Sequence, residues 1–161
     1  VGIRTAQGDD AASIARVQVA SWHAAYRGLM PDARLDAFTV AAREPAWRRN
    51  LAEVVPGRRT SVFERDGAVL GFVTAGPSRE PPPGGEIWAL YVLPSAWGTG
   101  VGSALMADAV TFLRARGHRH LSIWVLAGNE RAITFYAASG FALDGGRLVR
   151  DGLTELRLSR P

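Results

Sequence analysis

The chain has 161 residues, is 47% hydrophobic and carries a formal net charge of +4, which fits one domain with its own core and leaves two cramped. It has no cysteine, so disulfides, thiolate zinc sites and a cysteine nucleophile are excluded. Its histidines, His23, His118 and His120, form no HExxH pattern, no apolar run reaches the roughly 18 residues of a membrane span, and Val1-Gly2-Ile3-Arg4 opens no signal-peptide core.

In chain order, Ile3 to Ala6 reads as a first strand. Asp9 or Asp10 can cap a helix along which Ile14, Val17, Trp22, Tyr26 and Leu29 recur at helical spacing, until Pro31. A second helix is expected from about Pro45 to Val54. Period-two alternation then predicts a hairpin, Thr60 to Arg65 and Val69 to Ala75, around Asp66-Gly67. After a stiff connector, Pro81 to Gly85, the run Glu86 to Leu93 reads as a strand buried on both faces. A glycine turn, Gly98 to Gly102, leads into a helix ending near Arg116, with Gly117 as its cap. His120 to Leu126 reads as a strand, Asn129 to Ala138 as a helix. Phe141 to Leu143 and Leu153 to Leu158 are the last strands. Hairpins and crossovers are mixed, which predicts an α/β fold with a mixed sheet in a single domain, residues 1–161.

The turn is the informative segment. Gly98, Gly100 and Gly102 alternate between a buried strand and a helix start. Glycines let a ligand approach the main chain, and the first helical amides have no partner within the helix. With the helix dipole they suit a diphosphate. A tight turn without a ligand is the competing reading. No Lys follows the glycines as a P-loop requires. The order of elements does not suit a dinucleotide fold either. The arginines lie in scattered pairs such as Arg48-Arg49 and Arg58-Arg59, read as solvated faces or as a positive rim for a polyphosphate. They are not gathered with aromatics, so nucleic acid is not expected as a partner, and without a long apolar run neither is a membrane.

Tyr91-Val92-Leu93-Pro94 followed by Trp97-Gly98-Thr99-Gly100-Val101-Gly102 resembles motif A of the GNAT acetyltransferases. Asn129-Glu130-Arg131-Ala132 through Tyr136 to Gly140-Phe141 is similar to their motif B. One departure stands out: Trp97 occupies a position where the family usually has Arg or Gln, so a side-chain contact to phosphate is expected to be missing there.

The resemblance implies a central mixed, mostly antiparallel twisted sheet flanked by helices, acetyl-CoA as donor, and direct attack of an amine on the thioester. It implies that Leu90, Tyr91 and Val92 pair with the pantetheine arm. Trp97, Gly98, Thr99, Gly100, Val101, Gly102 and Ser103 would hold the diphosphate, with Asn129 and Tyr136 also at the donor. Tyr136 would protonate the departing thiolate. Glu86 is the first candidate for a general base, His23 the second, an ordered water chain the third. Trp22, His23 and Tyr26 are candidates for the acceptor site, with Trp47 beside them; Trp88 and Trp124 are read as core. The expected partner is a small-molecule amine, the expected location cytoplasmic, and the fold often forms homodimers. Two alternatives remain: a non-catalytic acyl-CoA-binding module, and an acetyltransferase of protein N-termini or lysines.

Overall fold

The computed structural model describes residues 2–161. Strand β1 (Gly2–Thr5) leads through a short 3-10 turn to helix α1 (Ala11–Tyr26), followed by α2 (Asp32–Asp36) and α3 (Val40–Ala52). Strands β2 (Arg59–Arg65), β3 (Ala68–Pro77) and β4 (Gly85–Val92) then run in succession. Helix α4 (Val101–Ala115), β5 (Leu121–Leu126), α5 (Glu130–Ala138), β6 (Ala142–Arg150) and β7 (Leu153–Arg160) complete the order. The strands form one sheet, β1-β2-β3-β4-β5-β7-β6. Every neighbouring pair is antiparallel except β4 with β5. The mixed, mostly antiparallel sheet follows from this: hairpins join antiparallel neighbours, whereas the parallel pair needs the α4 crossover.

Alternation along β3 sorts the core. Val73 packs with Leu105, Met106, Ala109 and Leu113 of α4. Its neighbour Phe72 packs with Ile14 and Val17 of α1 and Trp47 of α3. Successive residues of a strand face opposite sides, so α1 and α3 cover one face and α4 the other. Gly71 permits the close approach of α4: a Cβ there would lie 2.9 Å from Leu105 Cδ1.

Three local expectations are corrected. Helix α3 starts at Val40, not near Pro45, because the Thr39 hydroxyl accepts from the Ala42 amide at 3.2 Å and caps it. Pro45 sits inside that helix, whose Trp47 is buried against the core. Asp10 does not cap α1 with its side chain. Its carboxylate accepts two hydrogen bonds from Arg4, at 2.8 and 2.9 Å, and one from the Gln7 amide; the Arg4 guanidinium holds it below the usual carboxylate range. Strand β6 runs seven residues past the expected Phe141–Leu143 segment in its C-terminal direction, to Arg150. Its register shifts between Leu143 and Arg147, around Gly145-Gly146, and glycine inside a strand suits such an irregularity.

Candidate active site

The parallel pair creates the site. β4 and β5 are in register only at Gly85, Glu86 and Ile87, opposite Leu121, Ser122 and Ile123. On its other side β4 pairs with β3, where Thr74 faces Ala89 but Ala75 faces Ile87. Trp88 is therefore an extra residue, a β-bulge, at the point where β4 leaves β5. Bulges bend the strand and raise its twist. Past this point a cavity of about 480 Å³ is lined by Leu90, Tyr91 and Val92 of β4 and by Ile123, Trp124 and Val125 of β5.

The glycine turn borders the same cavity through Trp97, Gly98, Gly100, Gly102 and Ser103. Gly98 and Gly100 have φ of 73° and 90°, the left-handed region that favours glycine. Among the described residues, no backbone carbonyl accepts from the amides of residues 98 to 103; the first helical bond is Ala104 N–H to Gly100 C=O, 3.0 Å. A row of unpaired donors at a helix start fits a diphosphate. Gly102 also lets α5 come close: a Cβ there would lie 3.3 Å from the Phe135 ring.

Helix α5 brings Asn129 and Tyr136 to the cavity. The Asn129 side chain caps the helix by accepting from the Ala132 amide at 3.3 Å. Tyr136 is buried, yet its hydroxyl has no hydrogen-bond partner among the described residues and is not sealed from the cavity. Burial pushes its pKa up, so the phenol keeps its proton. From α1 come Ser21 and Tyr26. The Ser21 hydroxyl bridges the Val17 and Val92 carbonyls at 2.7 and 2.8 Å, and the Tyr26 and Tyr91 hydroxyls lie 3.4 Å apart.

Several sequence-level candidates stand apart from the cavity. Val101 is fully buried in the core. The Thr99 hydroxyl donates to Ala96 C=O at 2.5 Å. Trp22 stacks on Phe38, ring centroids 3.8 Å apart, behind Tyr26. His23 has both ring nitrogens occupied, Nε2 by Phe38 C=O at 2.9 Å and Nδ1 by Arg27 at 3.2 Å. Glu86 is 1% exposed, and its carboxylate accepts from the Arg79 amide, Nε and Nη2 at 2.9, 3.0 and 2.5 Å. Neither Glu86 nor His23 is brought to the cavity; Glu86 is held at the root of β4, before the strands part. Glu86→Gln is therefore expected to cost about 1–2 kcal/mol of stability, as a charged hydrogen-bond partner of a half-exposed arginine, and to leave kcat and its pH profile unchanged. Thermal melts and steady-state assays check this; a collapse of kcat in a folded variant would return Glu86 to the mechanism.

Conversely, Trp88 and Trp124, expected in the core, both line the cavity. Apolar strand residues read as core because the parting of two strands leaves no mark in hydrophobic pattern. Arg131 lines it too and was not anticipated.

A model of the acetyltransferase (GNAT) family matches residues 21–141, a span containing the split strands, the glycine turn and α5. The chain belongs to the GNAT family. It is 31% identical to YuaI, an uncharacterized N-acetyltransferase of Bacillus subtilis, across 95% of this chain and 91% of that protein. It is 34% identical to a mycothiol acetyltransferase of Cellulomonas flavigena across 71% of this chain, but spans only 42% of that relative. In structure it resembles the PaiA N-acetyltransferase of Thermoplasma acidophilum in complex with coenzyme A, with a TM-score of 0.75, 16% identity and 96% of each chain covered. The protein is thus a GNAT acetyltransferase, of a family that uses acetyl-CoA. No described helix is long and apolar enough to cross a membrane.

Proposed function

We propose that this GNAT protein transfers an acetyl group from acetyl-CoA to the primary amine of a small molecule, by direct attack within a ternary complex. One observation carries the reading. A single cavity in the parting of β4 and β5 is bordered by the unpaired amides of the turn, by the unbonded Tyr136 hydroxyl, and by the aromatic side chains of Tyr26, Tyr91, Trp88 and Trp124. Its volume lies in the range of small-molecule sites. The mycothiol acetyltransferase among its relatives supports a small acceptor.

Acetyl-CoA supplies an activated acetyl thioester. The turn amides anchor its diphosphate, and the free edge of β4 past Trp88 aligns its arm as an added strand would lie. The amine held by the aromatic wall forms the new N–C bond as the C–S bond breaks. Tyr136 donates its phenolic proton to the departing sulfur, a positioned acid. No Asp, Glu or His is among the residues that line the cavity, so the proton released by the amine passes to water.

A thiol-release assay over a panel of small primary amines tests this, with N-terminal and lysine peptides as the contrast. Thiol release that needs both substrates, with intersecting initial-rate lines, is expected; parallel lines would mark a covalent enzyme intermediate. Coenzyme A binding without turnover across the panel would leave only a binding module, and turnover confined to peptides would remove the small-molecule assignment.

A further inference from the structure

The glycine turn contains no lysine or arginine, yet its expected ligand is a polyanion. Of the residues that line the cavity, Arg131 alone carries a charge. It lies in the first turn of α5, the helix that Gly102 allows to approach the start of α4. Its Cζ is 3.4 Å from the centroid of the Trp97 ring, so the guanidinium is stacked on the indole. That ring is fixed in turn, because Trp97 Nε1 donates to Val92 C=O at 2.9 Å. Among the described residues no carboxylate forms an ion pair with Arg131, and no acceptor takes its N–H groups. Desolvation without a partner lowers its pKa, though an arginine stays charged regardless.

These features have one physical sense. Stacking uses a face of the guanidinium and leaves its edges, where the N–H donors lie, free for a planar two-point contact with phosphate oxygens. A cation with no internal partner, beside unpaired amides, is positioned for an anion that arrives from outside.

We propose that Arg131, held on Trp97, is the side chain that binds a phosphate of the coenzyme A donor, and that Trp97 acts as its positioning residue. The charge missing from the turn is thus delivered from α5. This rests on the reading that an acyl-CoA occupies the cavity.

Calorimetric titration of the intact protein with coenzyme A and with dephospho-coenzyme A tests it. Arg131 is an exposed residue, so Arg131→Ala should fold, which circular dichroism checks. The variant is expected to bind coenzyme A about 10- to 100-fold more weakly, the effect of losing hydrogen bonds from a charged donor. Arg131→Lys should recover only part of this, because a point charge cannot make the two-edged contact. If the contact is to the diphosphate, dephospho-coenzyme A weakens equally; if to the 3′-phosphate, its affinity does not change. Trp97→Ala should weaken binding as well, Trp97→Phe should restore most of it, and Trp97→Ala should add little in the Arg131→Ala background. Unaltered affinity of Arg131→Ala for coenzyme A, where the parent protein binds it, overturns the assignment. Failure of the parent protein to bind coenzyme A overturns the donor reading, and this one with it.

Discussion

Tyr136→Phe is expected to lower kcat by about 10²- to 10⁴-fold, the range of a positioned acid, and to leave coenzyme A affinity unchanged. The two parts of the expectation have separate causes. The ring of Tyr136 is buried in the core formed with α4, and phenylalanine preserves that volume, so the fold and the donor site persist. The hydroxyl makes no hydrogen bond within the described residues, so its removal leaves no internal donor or acceptor stranded. What is lost is a proton held in reserve: burial raises the Tyr136 pKa, and a buried neutral phenol is a donor to a departing thiolate, whose ordinary pKa is near 8.5. Single-turnover and steady-state rates, read beside a calorimetric titration, check both parts. Unchanged kcat would take Tyr136 out of the reaction and leave proton delivery to water.

Gly100→Val carries the second large effect, and it acts on stability and donor binding together. Gly100 has φ 90° and ψ −5° immediately before α4. A side chain in this region costs about 1–3 kcal/mol, and a β-branched one belongs at the upper end. For a domain of this size each kcal/mol moves Tm by about 2–4 °C, so a fall of roughly 2–12 °C is expected, valine lying toward its upper end. Relief of the strain rotates the peptides on either side and misdirects the amides of the turn. The thermal stabilisation conferred by coenzyme A should shrink as its affinity falls. Gly100→Asn is the control, since asparagine tolerates the left-handed region better, and it should retain more of both. A valine variant that melts lower yet is stabilised by coenzyme A as fully as the parent would show that the turn is not where the donor is held.

Much of this molecule was legible from residue order alone, and for local reasons. The strand–glycine–helix passage from Tyr91 to Gly102 announces itself because positive φ and a helix start are properties of a few neighbouring residues. Asn129 and Tyr136 could be placed on one face of α5 because helical geometry repeats every few residues. The hairpin at Asp66-Gly67 and the order of elements follow from the same short-range rules, and the family resemblance rests on those segments.

The tertiary structure decided what depends on residues far apart in the chain. Sequence fixes that Glu86 stands at the head of β4, but only pairing shows β4 still joined to β5 there, with Arg79 closing over the carboxylate. Two residues on, the bulge at Trp88 and the parting of the strands turn Trp88 and Trp124 from expected core into cavity wall. Arg131 and Trp97 are 34 positions apart, and they meet where α5 packs close to the start of α4, with Phe135 against Gly102. Backbone conformation is encoded nearest-neighbour by nearest-neighbour, whereas the separation of two strands and the meeting of two side chains are consequences of how the whole sheet and its helices pack.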